Sequence, residues 1–243
     1  MTGVQTCALP IYLGRSRRGG ISAVRIDNYR AVPVSTPDLD FIFNNYETPE
    51  DAVAFSYRFT GHEFYVINFQ AEKKTWMYDA TSDAWSELTS GADARYYGQR
   101  ATQFLNKIFV SDYRNGNMYT LDVDTYTDNG DYIARELITP HFFAGTSFNK
   151  LHIYRLRLDM EQGVGLNNGQ GQNPQVMLQV SRDGGFTWGT EMWTSFGAQG
   201  EFLRRAEWRR LGVSRNYVFK FRISDPVKVV LIGAAAYATE AMK

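Results

Sequence analysis

From Gly19 onward the chain reads as short β-type runs split by turn signals. Ile21–Ile26 is β-rich and ends in Asp27-Asn28, a turn, and Ala31–Val34 follows. The next runs are Ala52–Phe59, Glu63–Phe69, Thr75–Tyr78 and Trp85–Leu88. Then come Ala101–Leu105, Lys107–Val110, Asn117–Leu121 and Tyr132–Leu137. Asn115-Gly116 between two runs predicts a tight hairpin turn, because both central residues of such a turn need positive φ. Helical periodicity is nearly absent; Pro49-Glu50-Asp51 makes at most one turn.

The runs repeat. An apolar residue followed by Asp closes a strand at Ile26-Asp27, Tyr78-Asp79 and Leu121-Asp122, at intervals of 52 and 43 residues. Four-stranded units at roughly 40–50 residues are the signature of β-propeller blades. About three units fit, fewer than close a propeller, so the chain is expected to be a C-terminal fragment of a longer protein. A meandering β-sandwich with accidental spacing is the rival architecture. The texture then changes. Leu151–Leu158 alternates, Glu161–Pro174 is a Gly-rich loop, and strands resume at Gln175–Val180, Trp208–Leu211, Tyr217–Ile223 and Val227–Ile232. This predicts an all-β chain: partial propeller blades over 12–145, then an antiparallel β-sandwich-like domain over 146–243. Residues 1–11 show neither period and read as a non-native leader, translated sequencing-adapter read-through, which takes Cys7 with it.

Composition sharpens this. Apolar residues are 44%, charged 21% and aromatic 15%, which fits a globular β-protein rather than a disordered one. No apolar stretch is long enough for a spanning helix, so no membrane partner is expected. One cysteine excludes a disulfide framework and a Cys-based zinc site, and three histidines leave little for metal or general-base chemistry. Net charge is zero, yet residues 1–147 hold 13 Lys/Arg against 18 Asp/Glu and residues 148–243 hold 13 against 8. The halves therefore suggest surfaces for different partners, or plain scatter.

The sharpest motif is Ser181-Arg-Asp183-Gly-Gly185-Phe-Thr187-Trp188, which matches the Asp-box pattern Ser-x-Asp-x-Gly-x-Thr-Trp. Asp183 is expected to accept turn amides, Gly184 and Gly185 to supply unusual φ, and Trp188 to fold into the core. The role is a structural staple. Arg204, Arg205, Arg209 and Arg210, with Arg215, surround Trp208 and make a candidate interface for phosphates or an acidic subunit face; the alternative is a two-sided strand with Trp208 and Leu211 inward and the arginines paired or solvated. Arg15, Arg17 and Arg18 form a smaller basic turn. Other chemistry fails on inspection. Gly163 and Gly165 lack a third glycine, since Asn168 stands at its place. Asp122–Gly130 resembles a calcium loop, but Tyr126 sits at a ligand position and no Glu closes it. There is no Gly-x-Ser-x-Gly elbow. No catalytic set, metal site or cofactor is predicted.

Several strings carry a resemblance: Leu13–Gly20, Gly61–Val66, Asp112–Asp122, Pro174–Trp188, Trp208–Gly212 and Ile223–Gly233. Over residues 12–233, in this order, they resemble the packaged-DNA stabilisation proteins of short-tailed phages, also described as tail hub or nozzle proteins. The resemblance implies a non-enzymatic virion tail protein, assembled in the bacterial cytoplasm as a homo-oligomeric ring. It implies contact with the portal adaptor and with spike or needle proteins. It also implies closure of the channel behind packaged DNA, without sequence-specific binding. The alternative is a fragment of a glycan-binding or sialidase-like propeller. One Asp box and no Arg-Ile-Pro start argue against that reading.

Overall fold

The structure, a computed structural model, describes residues 11–15, 19–91, 93–145 and 149–241. The expected leader apart from Ile11, with Cys7 in it, lies outside the described residues, as do Arg17 and Arg18. The chain divides into two compact units, between Thr125 and Tyr126. Up to Thr125 it carries 12 Lys/Arg against 15 Asp/Glu, and from Tyr126 onward 14 against 11. The charge contrast is thus smaller than a division near Gly145 gives.

The first unit is three small antiparallel meanders. Strands β1 (Ile11–Arg15), β2 (Ile21–Asp27) and β3 (Arg30–Pro33) form one sheet. Helix α1 (Pro37–Asn44) and a 3-10 turn (Pro49–Asp51) follow. Strands β4 (Val53–Phe59), β5 (His62–Phe69), β6 (Lys74–Asp79) and β7 (Ala84–Glu87) form the second sheet. Strands β8 (Gly98–Phe104), β9 (Lys107–Asp112) and β10 (Met118–Thr120) form the third. Strands β4 and β8, the first of their sheets, lie side by side.

The repeated Asp has a physical cause. Asp79, at the end of β6, accepts the Thr81 amide at 2.9 Å and the Ser82 hydroxyl at 2.6 Å. Asp122, just past β10, accepts the Asp124 amide at 3.3 Å and the Thr125 hydroxyl at 2.9 Å. Each carboxylate therefore closes a strand by seeding a local turn. With Asp27 at the end of β2, the three residues mark the same strand of successive blades. So aligned, β1–β3 match the last three strands of the four-stranded sheet, and β8–β10 match its first three.

Helix α1 departs from the sequence reading, which found almost no helix. Its signals are local: Thr36 caps it by accepting the Leu39 amide at 3.4 Å, Pro37 opens it, and Asp38 and Asp40 fill its first turn. Leu39 and Phe43, one turn apart, are buried with Ile21, Ala23, Ile67 and Phe69, while Trp76 and Trp85 pack on the same cluster. Asn115-Gly116 is a second correction, since neither residue has positive φ. The β9–β10 loop instead winds on Asp112, whose carboxylate accepts the Arg114 amide at 2.8 Å and Asn115 Nδ2 at 3.1 Å. Among the described residues of the first unit, the two-residue turns with positive φ at both positions are Asn28-Tyr29, Thr60-Gly61 and Leu105-Asn106.

The second unit begins with a hairpin of β11 (Thr127–Asp128) and β12 (Asp131–Tyr132), closed by Asn129-Gly130 at φ 53° and 90°. The segment weighed as a calcium loop is therefore partly hairpin. Next come β13 (Arg135–Ile138), β14 (Lys150–Met160), β15 (Gln175–Ser181) and β16 (Met192–Ser195). The last strands are β17 (Ala206–Ser214), β18 (Val218–Ile223) and β19 (Leu231–Ala241). They make two antiparallel sheets, ordered β13-β18-β15-β16 and β17-β14-β19. Because β13 pairs with β18 through Arg135–Ile138, this unit starts well before Gly145. Leu151, Ile153, Leu156, Leu158, Val176 and Leu178 share one core with Trp208, Leu211, Phe219 and Phe221. Both sheets thus bury one face each.

Strand β14 does not alternate throughout. Leu151 and Ile153 point inward, then the phase slips and Leu156, Leu158 and Met160 do. The slip is a bulge. Ile153 pairs with Gly212 and Arg155 with Arg209, so Tyr154 faces both Arg210 and Leu211. Arg210 takes φ +60°, and Gly212 follows at +88°.

Candidate interaction surface

The Asp-box hairpin begins where β15 ends. The buried Ser181 hydroxyl donates to Asp183 Oδ1 at 2.7 Å and accepts the Gly185 amide at 2.8 Å. Asp183 Oδ1 also accepts the Thr187 amide at 2.9 Å, and Oδ2 accepts the Thr187 hydroxyl at 2.6 Å. Donation by Thr187, from hydroxyl and then amide, with the Ser181 hydroxyl, pulls the Asp183 carboxyl down to about 2. Gly184 and Gly185 take φ of 78° and 99°. A Cβ on Gly184 would stand 2.8 Å from Asn216 Nδ2, so glycine also admits the neighbouring turn.

Two features differ from the sequence reading. Trp188 is half-buried and stands outside the core, with Lys220 Nζ 4.4 Å from its ring centroid. The reason is register: Lys220 pairs with Gln179 on the face of the sheet away from Leu178, and Trp188 lies on that face. Phe186, at the hairpin tip, is 90% exposed. The second feature is Arg182, which the motif treats as variable. Its Nε and Nη2 donate to the Leu211 carbonyl at 3.1 and 2.8 Å, and its own carbonyl accepts the Ser214 hydroxyl at 2.7 Å. Asp183 bridges to Asn216, whose Oδ1 meets His141 Nδ1 at 2.8 Å. The hairpin is therefore fastened to the β17 bulge and the β17–β18 turn.

Arg204, Arg205, Arg209 and Arg210 are all exposed, on β17 and the loop that leads into it. Trp208 is buried, donating its indole N–H to the Met192 carbonyl at 2.9 Å, and Leu211 is buried beside it. The bulge explains why two consecutive arginines face solvent: the extra residue, Arg210, has no partner position of its own. Arg205 is tied to neutral acceptors, Gln162 Oε1 and the carbonyls of Phe202 and Arg204. Arg209 pairs with Glu207 at 2.7 Å, and Arg155 reaches the same carboxylate at 3.4 Å. Arg209, and after it Arg155, holds the Glu207 carboxyl below its usual range. Among the described residues Arg204 and Arg210 make no ion pair.

The sequence reading missed Arg155 and Arg157, which the bulge rotates to the same outer face as Glu207 and Arg209. Their signal was the break in alternation at Tyr154-Arg155. In the loop before β17, Phe202 and Leu203 are exposed next to Arg204 and Arg205. The surface is basic with an apolar margin. It suits salt-dependent docking, with Glu207 as the carboxylate among its arginines.

The Gly-rich loop is packed rather than open. A Cβ on Gly165 would lie 2.5 Å from the Gln172 carbonyl oxygen, and one on Gly171 would lie 3.0 Å from Val227. Among the described residues no three potential ligands cluster in a way that could hold a metal ion.

Comparison with known proteins gives two family matches in chain order. Residues 4–126 match the model described as bacteriophage P22 Gp10, beta-propeller. Residues 134–239 match bacteriophage P22 Gp10, beta-sandwich. No curated protein sequence matches the chain. Among solved structures, an exo-beta-1,3-galactanase from Phanerochaete chrysosporium with galactose is similar at 12% identity and TM-score 0.25, over 98% of this chain and 67% of that one. A glycoside hydrolase is similar at 9% identity and TM-score 0.21, over 93% and 70%. Likeness at these scores carries no argument about fold or activity. The two family matches divide where the structure divides, one on the blades and one on the sandwich, and the chain belongs to the bacteriophage P22 Gp10 family, phage structural proteins that stabilise packaged DNA.

Proposed function

We propose that this chain works in the tail hub, or nozzle, of a short-tailed phage, where it helps to close the channel below the portal behind packaged DNA. The observation that carries the reading is the pair of family matches, which together cover both units in order. The protein acts through surfaces rather than chemistry. Its neighbours are other hub subunits in a ring, the portal adaptor, and spike or needle proteins, and it joins them in the tail during assembly in the host cytoplasm. The outer face of β17 with the loop that leads into it, carrying Arg204, Arg205, Arg209 and Arg210, meets an acidic face of a neighbouring subunit. A subunit partner suits this face better than DNA, because a basic channel lining would hold phosphates and slow genome exit.

The test replaces these four arginines with Glu in an intact-length homologue and assembles tails in vitro. Hub incorporation should fall, most strongly at low salt. Normal incorporation at low and moderate salt would sink the interface, and retained incorporation with leaking DNA would move the arginines to the channel.

A further inference from the structure

Strand β19 (Leu231–Ala241) is 11 residues long and stands at the edge of its sheet. It pairs with β14 on one side, and among the described residues nothing pairs with the other. Edge strands in natural proteins are commonly short, or guarded by Pro, Lys or inward-pointing charge, because an open row of N–H and C=O groups templates another strand. β19 has no such guard. It contains no Pro and no basic residue, and Glu240, near its end, is its one charge. Leu231 to Ala235 are all exposed, Ile232 at 76%, and Tyr237 is 54% exposed.

Two features say what this edge meets. First, its regular stretch is self-complementary. The pairing with β14 is irregular at Asp159/Met160, which leaves Ile232 bulged, and at Ile153/Arg155, beside Tyr237. Between these points Gly233–Tyr237 pairs without a break, and its midpoint is Ala235. A second copy laid antiparallel about Ala235 sets Ala235 against Ala235, Ala234 against Ala236, and Gly233 against Tyr237. Ala234 and Ala236 stand opposite the core residues Leu158 and Leu156, so they carry the apolar floor to the edge. Gly233, Ala235 and Tyr237 alternate onto the other face. No like charges meet there: Arg157, opposite Ala235, would stand three strand spacings or about 14 Å from its copy, beyond the screening length of about 10 Å in 0.1 M salt. Second, Gly233 answers no need within the chain. Its φ is not positive, and a Cβ on it would meet nothing within 4 Å. Glycine weakens a strand, and inside one it marks a bulge or a place of close approach. The second copy's Tyr237 uses that space, since an aromatic ring over a cross-strand glycine shields the bare backbone. Tyr237 is already held, with the Arg155 guanidinium 4.6 Å from its ring centroid.

We propose that β19 is a self-association edge, at which two copies of this chain join antiparallel about Ala235 and merge two three-stranded sheets into one. Pairing from Leu231 to Thr239 forms roughly nine main-chain hydrogen bonds, near the number in an interface of standard size. The contact is a narrow seam rather than a broad patch, so the dissociation constant should be weak, about 10–100 μM. The assignment rests on this strand and stands apart from the tail reading and from the arginine face.

The test begins with sedimentation of the full chain from about 1 to 500 μM, which brackets such a constant and should show a monomer–dimer equilibrium. Gly233→Val is the deciding variant. It has room within its own chain but fills the space of the second copy's Tyr237. It should weaken the dimer at least about tenfold, while the melting temperature at low concentration stays level or rises. Ala235→Glu opposes two carboxylates across the pairing, yet within one chain it lies opposite Arg157, so it should abolish the dimer and leave the monomer folded. Ala235→Cys in a Cys7→Ala background checks the register. It should form an intermolecular disulfide under mild oxidation, because directly opposed residues stand about 4.5–5.5 Å apart at Cα. Thr239→Cys, far from the midpoint, should not. A monomer at every concentration would overturn the self-pairing and leave this edge to a strand of another protein. A dimer that Gly233→Val and Ala235→Glu do not weaken, or that Ala235→Cys does not trap, would overturn it as well.

Discussion

The guanidinium of Arg182 donates twice to the carbonyl of Leu211, and this contact joins two irregular pieces of the sandwich. One is the Asp-box turn. The other is the β17 bulge, where Arg210 sits at φ +60° and Gly212 at +88°. A bulge removes carbonyls from the regular ladder, and a carbonyl left unpaired is costly. Arg182 supplies the missing donors, so the turn and the bulge stabilise each other.

Removing that link should show as lost stability. Arg182→Met keeps the stem but leaves the Leu211 carbonyl without these donors. The expected loss is about 2 kcal/mol, the range for a hydrogen bond to a charged donor. Arg182→Lys should recover less than half of it, because one ammonium cannot reproduce the two-pronged geometry. Denaturant melts of both variants measure this, and a loss under about 0.5 kcal/mol would show that the carbonyl is satisfied otherwise.

Trp188 should matter less than a core tryptophan. Full burial would give Trp→Ala a cost of roughly 3–5 kcal/mol. Here the ring is half-buried and stacked under Lys220. Trp188→Ala should therefore cost about 1–2 kcal/mol, part lost burial and part lost cation–π attraction. Lys220→Met should lose only the second part. Equal losses from both would mean that the lysine, not the apolar area, dominates.

Acid should weaken both units over the same window. Burial pushes Asp79 up, but the Ser82 hydroxyl, the Thr81 amide and His62 more than reverse it, to about 2. Asp183 stands at about 2 as well. A carboxyl with a depressed folded value stabilises fully above its unfolded range near pH 4 and loses that contribution as pH falls toward 2. Asp79→Asn and Asp183→Asn should each flatten stability between about pH 4 and 2, while lowering it at pH 7. Stability profiles by unit-specific probes check this; unaltered slopes would place the acid response in other carboxylates.

Much of this was legible in advance, for identifiable reasons. The Asp repeat could be read because a strand-closing Asx turn depends on residues two or three apart. The Asp-box turn is built from contacts of similar range, between residues two or four apart. What escaped depends on distant partners. Helix α1 carries its cap and acidic first turn in eight residues, but its burial comes from β2 and β5. Leu105 takes φ +46° in a two-residue turn, where Asn or Gly would signal it, so no local pattern marks that turn. Asn115-Gly116 has the local signature and yet forms no such turn, because Asp112 organises the loop first. Arg155 joined the surface only through the β14 bulge, which cross-strand register reveals.

That register also yields a salt-dependent prediction for the arginine face. Arg155 stands directly opposite Arg209, a pairing of like charges that is unfavourable in an antiparallel sheet. Glu207 lies between them, 2.7 Å from Arg209 and 3.4 Å from Arg155, with its side chain only 18% exposed. Glu207→Gln removes the shared counter-charge and keeps the shape. The two guanidinium groups then face each other unscreened, and the loss should be about 1 kcal/mol at low salt. Most of it should vanish near molar salt, where the screening length falls to about 3 Å. Adding Arg209→Gln to Glu207→Gln should restore part of the loss, because the repulsion needs both arginines. A purely structural role for Glu207 would give the same loss at every salt concentration and no recovery in the double variant. Melts of the single and double variants at low and high salt decide between them, and additive losses would mean that the charges on this face act independently.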